Sequence, residues 1–533
     1  MVLSTLTAAL VVAYEVYKVL YRRKGLPPGP LLHPPFLGDG LYLGVGNPLR
    51  FLFARFKRYG SIFRIQMMGE RIWLINDPLA LRPILTDEKA EPFIPITTFK
   101  TLMGDDVILR AHAAGAHSSW RKVFLAAVAP KELASLVPRV LDIMHHHMAA
   151  WEADGKVHIY SAARAMGLDL SVDAIMQVKL PEGVDRGHFK KQVETFYDGL
   201  YALHSPLPGS AFSRALAAKA WLLETLQPGV RELHAEVMKK LDAVDGSIPA
   251  YAAQLLDQPS ADEGPAAAGS KDPTVAQEAA AATSYPPSLA EKPSIPVAQI
   301  LHRASTSRFE LQEAALGLLH MLVGSGDTTR FALFNIWALV SRSPRVQDKI
   351  HQEQLQVIAQ YGSELTYQVA CHMPYLDATL KECMRILPAS GGSMRRLLDD
   401  VRVGDYVLPK GDMVWYHAGL LHCTDPALWD GRTDYDVPPH MDWRHNFEHA
   451  FRPERWLGGE GEGARPRSYF TFGSGAHLCA GMNLVYLEIK LLLAMVLRKY
   501  RLRPECPDML NGCRLFPFLV PAKGTDGVVL EPR

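Results

Sequence analysis

The segment FGSGAHLCAGMNLVYLEIKLLL, starting at Phe472, narrows what this 533-residue chain can fold into more than any other. Its glycines, Gly473, Gly475 and Gly481, let the backbone turn sharply and let a flat ligand approach closely. An apolar-periodic helix is expected from near Cys479, which sets that thiol where free N–H groups and the positive end of a helix dipole favour the thiolate. A soft, anionic metal ligand results. Most isolated cysteines are small buried hydrophobes, and Cys371 or Cys383 read so. The six cysteines, which also include Cys423, Cys506 and Cys513, form no CxxC pair or zinc-like spacing, so a disulfide scaffold is not expected and a reduced environment is.

A second constraint is length. From about Phe309 to Ser341 apolar residues recur with helical period until Ser343-Pro344 stops them, which predicts one helix of ~30 residues and ~45 Å, enough to cross a domain. Midway, Gly324-Ser325-Gly326-Asp327-Thr328-Thr329 puts two glycines inside that helix. Each costs about 1 kcal/mol relative to Ala, so packing or a local widening must account for them. In LKECMRILP, Glu382 and Arg385 share a helix face, on its own an ion pair worth ~0–1 kcal/mol. Between Ser61 and Asp77, Phe63, Ile65 and Met67, then Ile72 and Leu74, alternate about Gly69 as in a β-hairpin. RRLLDDVRVGDYVLPKGDMVWY, punctuated by Gly404 and Pro409-Lys410-Gly411, reads as a small sheet. The expected fold class is mainly α with small β-sheets: one domain over 25–533, carrying a disordered Ala/Pro/Ser/Gly-rich insertion at about 257–296.

The 57 Lys plus Arg nearly balance 56 Asp plus Glu, so no nucleic-acid partner is expected. Residues 1–24 are apolar to Tyr14, then carry Glu15 and Lys18, and close on Arg22, Arg23 and Lys24 before the extended LPPGP. They read as an N-terminal membrane-anchor helix with its basic end in the cytosol, the alternative being a targeting peptide that is removed.

Phe472, Gly475, His477, Cys479 and Gly481 match FxxGxxxCxG, and on that signature the chain resembles the cytochrome P450 family and its fold. The resemblance implies haem b, iron protoporphyrin IX, with Cys479 as axial thiolate and metal ligand. It implies haem contacts from Phe472 and from His477, which stands where Arg is common. In GAHSSWRKVFL it implies propionate contacts from His117 and Arg121, and after the ExxR helix from Arg395, with Arg396 as a rival. FRPERW resembles the family segment whose arginine, here Arg455, completes a buried triad with Glu382 and Arg385. GSGDTT resembles the oxygen-activation motif, implying that Thr328 hydrogen-bonds dioxygen or its water and that Asp327 relays protons toward it. Ser325 stands where the family usually has Gly.

HxxxRK near His117 and GGxxR after ExxR look more like the branch that oxidises sterols, retinoids and other terpenoids. The implied activity is that of a monooxygenase acting with O2 on a small hydrophobic substrate, such as a sterol, retinoid, carotenoid or other terpenoid, lined by Phe99, Leu102, Met103 and Leu515 to Phe516. Too few residues follow Cys479 for a fused reductase, so electrons come from a separate NADPH-dependent reductase or ferredoxin-type donor, with Arg121, Lys122, Arg465, Arg467 and Lys490 as a basic docking face. Membrane association is expected, at the endoplasmic reticulum facing the cytosol, with plastid or mitochondrion as alternatives. Two other readings keep the haem: a hydroperoxide isomerase or dehydratase that needs no reductase, and a non-catalytic haem sensor.

Overall fold

The computed structural model describes residues 26–30, 33–34, 38–67, 69–86, 89–93, 96–104, 121, 124–125, 128–242, 300, 310–458, 468–510, 513 and 519–533. His117, the segment 1–24, the 257–296 insertion and Leu515 to Phe516 lie outside them. Among the described residues helices dominate, and the strands form three small sheets. Among the described residues no helix is long and apolar enough to cross a membrane.

The hairpin read from alternating apolar residues is present: β1 (Ile62–Met67) pairs antiparallel with β2 (Glu70–Ile75). It extends into a five-stranded sheet through β8 (Met413–Tyr416), β5 (Ser393–Leu397) and β3 (Ala90–Pro92). β6 (Val401–Val403) and β7 (Tyr406–Leu408) form the two-stranded ribbon between β5 and β8. A third sheet joins distant parts of the chain, with β10 (Gly527–Pro532) lying between β4 (Lys156–His158) and β9 (Tyr500–Pro504).

The long helix runs as Leu311–Leu322, a π-helical turn Val323–Asp327, and Thr328–Ser341. Ser343 caps the next helix, Pro344–Tyr361, by accepting from the Val346 N–H, with Pro344 at its first position. The two mid-helix glycines do different work. A Cβ on Gly326 would lie 2.6 Å from both Ser171 Oγ and Tyr197 Oη, whereas one on Gly324 would meet nothing within 4 Å. Gly326 therefore lets neighbouring helices press flush against the widened turn, and Gly324 borders open space.

Candidate active site

The cysteine loop is built from its own turns. Gly475 takes φ +69°, and a Cβ there would stand 2.7 Å from the Leu85 carbonyl, so only glycine fits this approach. A short 3₁₀ turn, Gly475–His477, follows, and the Cys479 N–H donates to the Phe472 carbonyl at 2.8 Å, closing the loop. The helix Met482–Lys499 starts three residues after Cys479, later than the sequence suggests, with Gly481 in the cap position. Burial pushes the Cys479 thiol pKa up, opposed by the Gly481 backbone N–H and by Arg121. Cys479 nevertheless keeps exposed surface, as a group lining a concavity does.

Basic groups gather around this loop. Arg121 donates to the Leu478 carbonyl, bringing its guanidinium to the cysteine segment. His477 is half-buried, and the Phe472 ring packs 5.5 Å from that of Tyr486. Of the two rival arginines, Arg395 is the buried one, with Nη1 donating to Ser393 Oγ and to the Met394 carbonyl at 3.2 Å. Arg396 stacks on Phe93 at 4.1 Å and pairs with Glu70 at 3.3 Å, so it is held elsewhere. Tyr416, which sequence reading missed, joins the groups: burial lowers the Arg395 pKa and Tyr416 opposes that, and its hydroxyl stands 3.5 Å from where a Gly473 Cβ would be. Burial pushes the Tyr416 pKa up to about 12.

On the long helix, Gly324 and Thr328 are the exposed residues within an otherwise buried or half-buried stretch from Ala314 to Ser341. They are four apart, and Thr328 Oγ1 donates to the Gly324 carbonyl at 2.8 Å. Asp327 points into the protein instead. Its Oδ1 stands 2.6 Å from an Arg330 guanidinium nitrogen, and burial raises its pKa while Arg330 and Tyr201 pull it down. Tyr197 donates to the Leu322 carbonyl at the start of the widened turn. Arg330 was legible as an i+3 partner; Tyr197, on the helix Arg186–Leu200, and Tyr201, just past its end, lie more than 120 residues earlier and had no local signal.

The ExxR residues form the buried network that the sequence implies. Arg385 donates to both Glu382 oxygens at 2.8 Å, Arg455 Nε to Oε1 at 3.0 Å, and Trp456 Nε1 to Oε2 at 3.0 Å. Lys490, placed on a docking face from sequence, is buried and bonded to Asp377 at 2.7 Å and to the Ala370 carbonyl at 2.9 Å, because its stem lies against the helix packing. Among the described residues Arg121 also turns toward the cysteine loop rather than away from it.

A sequence profile described as Cytochrome P450 matches residues 27–258, 274–438 and 446–524. The chain belongs to the cytochrome P450 family. It is 24% identical over 479 residues to a putative cytochrome P450 120 of Synechocystis sp. (89% of this chain, 90% of the relative). It is also 24% identical to a taxoid 14-beta-hydroxylase of Taxus cuspidata (88% and 80%) and 22% identical to human cytochrome P450 26B1 (88% and 79%). A solved retinoic acid-bound cyanobacterial CYP120A1 shares its fold, with a TM-score of 0.70 at 22% identity, covering 96% of this chain and 100% of that one. This P450 is therefore an oxidoreductase of the monooxygenase class, and its cofactor is haem with a cysteine thiolate ligand. The residues present fit that group. An accessible but enclosed thiol, basic side chains at Arg121, Arg395 and His477, and the exposed Gly324 and Thr328 on a buried helix form a suitable donor set and cradle.

Proposed function

We propose that this P450 is an external monooxygenase that inserts one atom of O2 into an apolar, terpenoid-like substrate and reduces the other to water. The balance is substrate C–H plus O2, two protons and two electrons, giving an alcohol and water. The observation that carries this reading is the small exposed face of Gly324 and Thr328 on the widened turn of an otherwise buried helix. Cys479 would hold the iron, with Arg121, Arg395, His477 and His117 on the propionates and Phe472 packed at the loop. Haem, when bound, supplies the activation of dioxygen.

This chain's own residues supply position and protons. Thr328 offers a hydroxyl from the exposed face, and the raised pKa of Asp327, set by its burial, suits a carboxyl that takes up and releases a proton. Buried Phe99, Leu102 and Met103 suit an apolar substrate wall. Relatives named for taxoid 14-beta-hydroxylation, abscisic acid 8'-hydroxylation and beta-amyrin 28-monooxygenation support a terpenoid-like substrate. Electrons come from a separate reductase or ferredoxin-type protein, and residues 1–24 attach the enzyme to a membrane.

The deciding experiment is the ferrous carbon-monoxide difference spectrum of purified protein beside Cys479→Ala, followed by a screen of terpenoid-like substrates for spin-state shifts. A thiolate-type red-shifted Soret band, lost in the variant, is expected. Normal thiolate ligation in Cys479→Ala would overturn the assignment of the ligand. Turnover of a fatty-acid hydroperoxide without a donor, and of nothing with one, would replace the monooxygenase reading by an isomerase.

A further inference from the structure

A cavity of about 80 Å³ lies among residues distinct from those assigned above to haem and dioxygen. It is bounded by the start of the helix Pro48–Tyr59, the chain just past the ExxR helix, and Trp443. Leu387, Ala389 and Leu519 make the rest largely apolar, and among the described residues none that lines it is charged.

Besides Asn47, two polar side chains line this space. Asn335 is 2% exposed and stands on the long helix two turns past Thr328. Its Nδ2 donates to the Leu387 carbonyl at 3.1 Å, while Oδ1 is buried without a hydrogen-bond partner. A buried amide oxygen left in that state is costly unless an occupant donates to it. His417 is the second. Its Nδ1 accepts from the Leu420 N–H at 3.2 Å, and burial pushes its pKa down to about 4, so the neutral ring carries its proton on Nε2. A Cβ on Gly391 would lie 3.5 Å from that nitrogen.

We propose that this cavity binds a small uncharged alcohol, whose hydroxyl donates to Asn335 Oδ1 and accepts from His417 Nε2–H while its carbons pack against Trp443 and Leu519. A hydroxyl is the smallest group that both donates and accepts, and the apolar walls favour carbon over bulk water for the remaining volume. One water needs only about 10–15 Å³ of such space, so this one has room for several waters or a small organic molecule. Leu387 to Gly391 links Arg385 to the strand that carries Arg395, so an occupant here braces that connection.

The test titrates the full-length, haem-loaded protein with 2-propanol, followed by saturation-transfer NMR, beside Gly391→Ala and Asn335→Leu. Gly391→Ala adds a methyl at ordinary contact distance from His417 Nε2, filling the site at a position whose φ is not left-handed. Asn335→Leu keeps the size and removes the acceptor. Saturable binding that weakens at least tenfold in both variants, with xenon a poor competitor, is expected. Non-saturable binding, equal affinity in wild type and Gly391→Ala, or full competition by xenon would overturn the proposal, the last by showing a dry apolar cavity. If Asn335→Leu does not fold, Gly391→Ala decides alone.

Discussion

Glu382–Arg385 and Asp327–Arg330 are both acid and arginine three residues apart on a buried helix, yet they hold opposite positions on the carboxylate scale. Glu382 accepts from Arg385, Arg455, Trp456 and the Arg452 N–H, and its pKa is lowered against a strong burial penalty. Asp327 lies 2.6 Å from Arg330, but neither of its oxygens receives a well-aligned hydrogen bond, and its pKa is raised. The difference lies in how many aligned donors surround each carboxylate rather than in burial or in the pair spacing. Saturation locks a charge in place and makes a brace; partial pairing leaves a buried carboxyl whose protonated form is favoured. Glu488 extends the series to its limit, since Oε1 is buried with no partner and desolvation pushes its pKa up to about 8.

The largest expected effect is on the saturated network. Arg455→Ala strands the buried Glu382 charge and costs about 3–5 kcal/mol in chemical denaturation; a loss below ~1 kcal/mol would break the contrast. Because the Glu382 pKa is depressed, its contribution is present above the unfolded pKa and fades as pH falls through the folded one. Asp327→Asn leaves the buried Arg330 guanidinium without its carboxylate and costs less, about 1–3 kcal/mol, while lowering the rate of product formation about 100-fold, close to 3 kcal/mol of barrier. Glu488→Gln tests the unpaired end. The folded protein holds this proton between the ordinary carboxyl value of 4.5 and about 8, so stability is lost as pH rises through that window. The variant should gain about 4 kcal/mol at pH 8 and only about 1 kcal/mol at pH 5 in thermal unfolding. Smallest is the glycine pair: Gly324→Ala should stabilise, and Gly326→Ala destabilise, each by about 1 kcal/mol in equilibrium unfolding.

Much of the fold was legible because it rests on local patterns. Alternation about Gly69 marked the first hairpin, and Ser343-Pro344 marked where the long helix ends. The ExxR spacing was equally plain, and FRPERW supplied its third member. Side-chain direction was not. The spacing of Asp327 and Arg330 is that of Glu382 and Arg385, and only residues far along the chain decide which pair becomes saturated. Lys490 looked like surface charge because one lysine on a helix carries no mark of the Asp377 it meets. The polar pair Asn335 and His417 likewise meets at one cavity only because three separate segments converge there.

The sheet that joins β4, β10 and β9 has a consequence in time. The Tyr160 N–H donates to Asp526 Oδ2 at 3.0 Å across a separation of 366 residues, beside the pairing of Val157 with Val528. During synthesis β4 leaves the ribosome long before its partner exists, and at about 5–20 residues per second it waits tens of seconds with its pairing edge open. Closure of β10 onto β4 is thus a late step, and nascent chains are exposed to wrong edge pairing throughout that interval.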